Sequence, residues 1–186
     1  MSDLVPDEPT VLVVEDEPQL ADLYAEYIDD SYTVLTAYSG EAAIETLHEA
    51  IDVVLLDRRM PVCSGNEVLA AIEDHPLDCR VAMVTAVDPD FDIIELGVDD
   101  YLVKPVSQDE IREVVDRLFK ISEYNDQLTE LTGKKLKRNV LQVEKPPREL
   151  EASDRFQQLE AEIRELEATV ETIADDLDVE ERDLRL

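Results

Sequence analysis

Four short apolar runs, each closed by a polar side chain, constrain the fold of this chain more than any other feature. Val11-Leu12-Val13-Val14 runs into Glu15-Asp16, and Val53-Val54-Leu55-Leu56 runs into Asp57. Val81-Ala82-Met83-Val84 ends at Thr85, and Tyr101-Leu102-Val103 ends at Lys104. Apolar runs without alternation suit strands buried on both faces. Between them lie segments with helical spacing. Leu20, Leu23, Tyr24, Tyr27 and Ile28 mark a helix over about 18–28, and Ala43, Ile44 and Leu47 mark one over about 41–49. Val68, Leu69 and Ile72 mark another after Gly65, and residues 90–96 form a short helix stopped by Gly97. Tyr32–Thr36 is β-branched enough for a further strand. Strict alternation of strand and helix implies parallel strands, right-handed crossovers and helices on both faces of the sheet. In such an α/β sheet the four polar ends emerge at one edge, which is where open sheets bind ligands.

An acid pair, a lone aspartate, a hydroxyl and an ammonium at one edge suit a divalent metal and a phosphoryl group held on Asp57. Magnesium takes oxygen ligands and keeps several waters. Asp16 and Asp57 can each offer one carboxylate oxygen, Glu15 can act directly or through water, and a backbone carbonyl just after Asp57 can complete the shell. Asp57 can attack phosphorus to give an acyl phosphate. The charge that spreads over the phosphoryl oxygens then calls for positioned positive charge and donors, which Lys104 and Thr85 supply. Taken singly, an acid pair, a strand-end threonine and a lysine are ordinary surface features. Their joint placement after successive buried runs carries the argument, as does the fact that Lys104 is the one lysine before Lys120.

The net charge of −30 is extreme. Residues 1–120 hold 29 acids and 7 bases, and residues 121–186 hold 18 acids and 10 bases. Such repulsion destabilises a compact state unless salt screens it, and at about 1 M the screening length is about 3 Å. This points to a protein adapted to a high-salt cytosol. The rival, a disordered acidic chain, is opposed by 44% apolar residues and by the strand runs. Nucleic acid is an unfavoured partner for so acidic a chain. The one basic cluster, Lys134-Lys135-Leu136-Lys137-Arg138, reads as a solvated linker patch rather than a DNA contact. Cys63 and Cys79 lack metal-ligand spacing and read as reduced thiols. His48 and His75 read as surface residues. The acidic N-terminus is unlike a signal peptide, and no apolar run approaches the roughly 20 residues of a membrane span. A cytoplasmic location is expected.

Ser107-Gln108-Asp109-Glu110 is a capping box. The helix it opens places Ile111, Val114, Val115 and Leu118 on the sheet, continues through Ile121, Tyr124, Leu128 and Leu131, and is expected to end at Thr132-Gly133. Lys145-Pro146-Pro147 breaks any helix. Beyond it Phe156, Leu159, Ile163, Leu166, Val170, Ile173 and Leu177 alternate spacings of three and four, a three-heptad seam. Pairing between chains, an antiparallel hairpin with the preceding helix, and packing on the globular domain are all open to this seam.

Glu15-Asp16, Asp57 with Met60-Pro61 and Gly65, Val84-Thr85-Ala86 and Lys104-Pro105 together resemble the receiver domain of two-component response regulators, over about residues 9–120. The resemblance implies a flavodoxin-like, doubly wound five-stranded parallel sheet of order 2-1-3-4-5, with a C-terminal helical extension. It implies that Asp57 takes phosphate from a sensor histidine kinase. It also implies that Mg2+ is held by Asp16, Asp57 and the Arg59 backbone carbonyl, assisted by Glu15. Thr85 and Lys104 would bind the phosphoryl group, Tyr101 would swing inward as Thr85 moves, and Lys104-Pro105 would be a cis peptide. Such a protein is a switch that assists its own phosphorylation and dephosphorylation rather than an enzyme. Two departures stand out. The acid pair is Glu-Asp rather than Asp-Asp, and Arg59 is bulky and cationic, which implies slow dephosphorylation if it shields the phosphoryl. After a linker helix and proline break over 121–149, the acidic segment 150–186 resembles the HalX domain appended to haloarchaeal receivers. Phosphorylation would alter self-association or partner binding through Phe156–Leu177, and a homodimer through the receiver or the C-terminal helix is one open form of that output. The rival readings are a phosphorylation-silent receiver-like interaction module, a metal-dependent phosphatase, and a DNA-binding regulator. The phosphatase is disfavoured because Arg59 stands where such enzymes need an aspartate.

Overall fold

The computed structural model describes residues 9–28, 30–75, 77–86 and 97–183, with side chains to residue 177. Five strands are present among them: β1 (Thr10–Val14), β2 (Thr33–Ala37), β3 (Val53–Leu56), β4 (Arg80–Thr85) and β5 (Asp100–Val103). The helices are α1 (Pro18–Tyr27), α2 (Gly40–Thr46), α3 (Gly65–Asp74), α4 (Gln108–Glu144), α5 (Pro147–Glu151) and α6 (Asp154–Asp183). The short helix expected over 90–96 lies outside the described residues.

All strand pairs are parallel and the sheet order is β2-β1-β3-β4-β5. β1 and β3 are buried at every position, and β4 from Val81 onward. The outer strands β2 and β5 are mostly half-buried. Unbroken apolar runs therefore mark the three inner strands, as burial on both faces requires. Side chains alternate across the sheet. Leu12, Val14, Val54, Leu56, Val81 and Met83 form one core with Ala43 of α2 and Val68, Leu69 and Ile72 of α3. On α4, Ile111, Val114, Val115 and Leu118 are fully buried. The same stretch meets the end of α1 and the start of β2. Arg112 Nε donates to the Tyr27 carbonyl at 2.7 Å, and Tyr32 stacks on Phe119 with ring centroids 4.7 Å apart.

Local signals start the helices as their sequences dictate. Pro18 sits in the first turn of α1, where its missing N–H is no loss. Ser39 caps α2, accepting from the Ala42 amide at 3.1 Å. Ser64 and Glu67 form a full capping box on α3. The Ser107 amide donates to Glu110 at 2.7 Å, and the Glu110 amide donates back to Ser107 Oγ at 3.3 Å. That backbone hydrogen bond holds the Glu110 carboxyl below its ordinary range.

The chain divides into two compact units that meet in sequence at Phe119 and Lys120, and α4 contributes to both. In the second unit, α4 does not stop at Thr132-Gly133 but runs to Glu144. A mid-helix glycine costs only about 1 kcal/mol relative to alanine. Here that is offset by packing, because Leu131 is buried and the following bases are held by α6. Lys134 pairs with Glu162 at 2.7 Å, Lys135 with Glu167 at 2.8 Å, and Arg138 with Glu160 at 4.0 Å. From Lys134 to Arg138 the chain climbs α4 while the partner moves back from Glu162 to Glu160, so the two helices are antiparallel. Three members of the basic cluster thus clasp a hairpin instead of lying solvated in a linker. Phe156, Ile163 and Ile173 of the α6 seam are buried, while Leu159, Leu166, Val170 and Leu177 are half-buried. Lys145-Pro146-Pro147 forms the turn, with Pro147 opening the one-turn helix α5.

No helix among the described residues is long and apolar enough to cross a membrane. Both cysteines are free thiols, and burial pushes the Cys79 thiol up to about 11.

Candidate functional site

Parallel register fixes where each strand ends. Val14 lies beside Leu56, Leu56 beside Met83, and Thr85 beside Val103. The next residues, Glu15-Asp16, Asp57 and Lys104, therefore leave the sheet at one edge, together with Thr85 itself. β1 lies between β2 and β3, so the chain changes direction of winding there, and the crevice at such a switch point is the general ligand site of open sheets.

Backbone hydrogen bonds carry the ladder into the loops. The Asp57 amide donates to the Val14 carbonyl at 2.9 Å, and the Lys104 amide donates to the Thr85 carbonyl at 2.9 Å. Ligand oxygens of Glu15, Asp16 and Asp57 all lie within 4.8 Å of one another. Glu15 and Asp57 are buried, at 2% and 6% exposure, and Asp16 is half-buried. Two adjacent buried carboxylates need a counter-charge, and Lys104 supplies it. Its Nζ donates to Glu15 Oε2 at 2.5 Å and to Asp57 Oδ2 at 2.9 Å. Burial works against the Lys104 ammonium, but its bonds to Glu15 and Asp57 outweigh this and raise its pKa. Burial likewise raises the Glu15 carboxyl, against the opposing pull of Lys104.

The second oxygen of Asp57 is also held, because the Arg59 amide donates to Oδ1 at 3.1 Å. The acceptor carboxylate is thus oriented at both ends by groups from different elements. Arg59 itself is exposed. Thr85 is fully buried at the end of β4. Tyr101, on β5, is half-buried against the core cluster on the α2–α3 side. Lys104-Pro105 is a cis peptide.

Gly65 has a function that its sequence position as a loop breaker does not reveal. Its amide donates to the Arg58 carbonyl at 3.0 Å, and a Cβ built on it would lie 2.3 Å from the Asp57 carbonyl oxygen and 2.9 Å from Arg58 Cα. Only glycine lets the start of α3 close against the strand carrying Asp57. Gly65→Ala is expected to destabilise the fold by about 2 kcal/mol, in the range of overpacking. Thermal unfolding checks this, with an unchanged midpoint as the contrary result. A glycine in a loop is the sole sequence signal for this contact, and it does not distinguish a turn from a close approach.

The oxygen-only donor set of three converging carboxylates fits a hard divalent cation. Together with the topology it places the protein in a class, the open parallel α/β domains that carry an acidic, lysine-braced site at the sheet edge. The comparisons name the family. The response regulator receiver domain model matches residues 11–116, and the HalX domain model matches residues 120–185, beginning upstream of the proline break. A Haloferax volcanii protein named as a transcriptional regulator is 52% identical over 113 residues, covering 60% of this chain and 19% of that protein. The alkaline phosphatase synthesis transcriptional regulatory protein PhoP of Bacillus subtilis is 36% identical, covering 61% of this chain and 49% of PhoP. The receiver domain of AraT, a response regulator from Geobacillus stearothermophilus, superposes with a TM-score of 0.56 at 28% identity, covering 66% of this chain and 98% of that domain. The chain belongs to the response regulator receiver family, with a HalX domain following the receiver. It spans from about a fifth to about half the length of these two sequence relatives.

Proposed function

We propose that Asp57 receives the phosphoryl group of a phosphorylated histidine on a sensor kinase, and that the acyl phosphate so formed is the chain's signalling state. The observation that carries this is the double grip of Lys104 on Glu15 and Asp57 beside a triad of converging carboxylates. In the transfer an Asp57 oxygen forms a bond to phosphorus as the P–N bond breaks, and the electron pair returns to the histidine nitrogen. Lys104 supplies fixed positive charge next to the acceptor oxygen. The Arg59 amide holds the carboxylate at its other oxygen, and the Thr85 hydroxyl donates to the phosphoryl group. A Mg2+ ion in the site would be held by Asp16, Asp57 and the Arg59 carbonyl, with Glu15 assisting, and would add positive charge against the phosphoryl oxygens.

The phosphorylated state biases Thr85, Tyr101 and the opening of α4, which continues unbroken into the second unit. That continuity supports the C-terminal helices as the output element. The chain works in the cytoplasm, at the high salt that its charge of −30 requires. No enzymatic turnover of an external substrate is needed, since the chain assists only its own phosphorylation and dephosphorylation. Labelling by acetyl phosphate in molar potassium chloride tests the reading. It is expected to require Mg2+, and a chain that takes up no phosphoryl group would instead be a phosphorylation-silent interaction module.

Arg59, exposed beside the acceptor, screens the acyl phosphate from water. Arg59→Ala is expected to shorten the phosphate lifetime about threefold, an effect of roughly 0.6 kcal/mol. Decay of the label after removal of donor measures this, and an unchanged lifetime refutes the screening role.

A further inference from the structure

The sequence leaves the α6 seam open to pairing between chains or within the chain, and the structure ties α6 to α4 of the same chain. A different surface is left over. On α4, Leu136, Val140 and Val143 are 61%, 62% and 83% exposed. At about 100° per residue these three lie within about 60° of one another. They point away from the buried Leu131 and from Lys134 and Arg138, which pair with α6. Thr129, Thr132 and Asn139 are exposed on this outer face, and with the half-buried Ser122 and Asn125 they complete a run at spacings of three and four from Ser122 to Val143. None of these positions is charged, in a chain where 34% of residues are. Thr132 turns its hydroxyl back to the Leu128 carbonyl at 2.8 Å, so its polar group is already partnered within α4.

We propose that this uncharged outer face of α4 docks a second copy of the chain, with the two α4 helices parallel and in register. Charge selects the occupant. A chain of net charge −30 repels its own copies over most of its surface, and this strip brings no like charges together. It also offers no charge by which a strongly charged partner would be recognised. Polarity selects the register. An asparagine amide carries both donors and acceptors, so Asn125, and Asn139 beside the 3.4 Å bond its Oδ1 accepts from Arg138, can each pair with their own counterparts, a recognised device for fixing coiled-coil register. Geometry selects the direction. A parallel pair sets Leu136, Val140 and Val143 against themselves over about 10 Å of helix, at the end of a strip that runs about 32 Å from Ser122. A full-length antiparallel overlap would set them against Thr129, Asn125 and Ser122. The α4–α6 hairpin stays intact, because α6 occupies the opposite face. The inference stands independently of phosphorylation.

Sedimentation equilibrium of the full chain in molar potassium chloride tests it, alongside the double variant Leu136→Glu/Val143→Glu. The wild type is expected at twice the monomer mass. The variant is expected to be monomeric, with a dissociation constant raised at least a hundredfold and unchanged helicity by circular dichroism, since glutamate is a good helix former on an exposed face. A separate Val143→Cys variant keeps the seam and is expected to form a chain-to-chain disulfide under mild oxidation, while the wild-type cysteines do not. A monomeric wild type, a double variant that dimerises as tightly as wild type, or a Val143→Cys dimer that does not cross-link would each overturn the proposal.

Discussion

Asp57→Asn is expected to reduce Mg2+-dependent labelling by acetyl phosphate to background, a loss of about a hundredfold or more. The amide has the size of the carboxylate but not its nucleophilic oxygen pair. Its carbonyl oxygen can still accept from the Arg59 amide, and Lys104 keeps its 2.5 Å contact with Glu15. The fold is therefore expected to survive, and the thermal unfolding midpoint is the control. Residual labelling close to the wild-type level would place the acceptor elsewhere.

Lys104→Met is expected to be the most destabilising change at the site without divalent cation, by about 3 kcal/mol, because it leaves two buried carboxylates with no counter-charge. The sign of its pH dependence follows from Glu15. Burial already raises the Glu15 carboxyl, and Lys104 is what opposes that rise. Without the lysine the folded-state pKa moves further up, so folding takes up a proton. Stability is then present at low pH and lost as pH rises through the raised Glu15 value. Mg2+ is expected to restore part of the loss by supplying positive charge to the same oxygens. Labelling is expected to fall sharply even in the restored protein, since the charge beside the phosphoryl group is missing. Thermal unfolding at mildly acidic and mildly alkaline pH, each with and without Mg2+, measures these effects. A variant as stable as wild type at alkaline pH without cation would contradict the geometry around Lys104.

Much of the receiver unit is legible in the residues for a physical reason. Inner strands of a parallel sheet are buried on both faces, so Val11–Val14, Val53–Leu56 and Val81–Val84 read as unbroken apolar runs, and the polar residue after each marks the same edge. Alternation with helices gives parallel pairing. It does not give the order of the strands, which the family resemblance implies and no single run does. The capping box at Ser107 is equally local and equally readable.

The C-terminal unit is less legible because its decisive contacts are not local. Thr132-Gly133 has the look of a helix end, but the stretch is held in α4 by Leu131 and by ion pairs that Lys134, Lys135 and Arg138 make with residues more than twenty positions away. The heptad of Phe156–Leu177 announces that a partner exists. The same pattern serves a partner in the same chain or in another, and the antiparallel ion pairs supply the missing information. The role of Gly65 stays hidden for the same reason, because its neighbour is the carbonyl of Asp57 on another element.

The most direct test of the central claim is reductive trapping. Wild-type protein is incubated with acetyl phosphate and Mg2+ in molar potassium chloride, reduced with borohydride, digested and mapped by mass spectrometry. An acyl phosphate is reduced to the alcohol, so homoserine at position 57 alone is the predicted result. Homoserine at another aspartate, or none after proven uptake of phosphate, would contradict Asp57 as the acceptor.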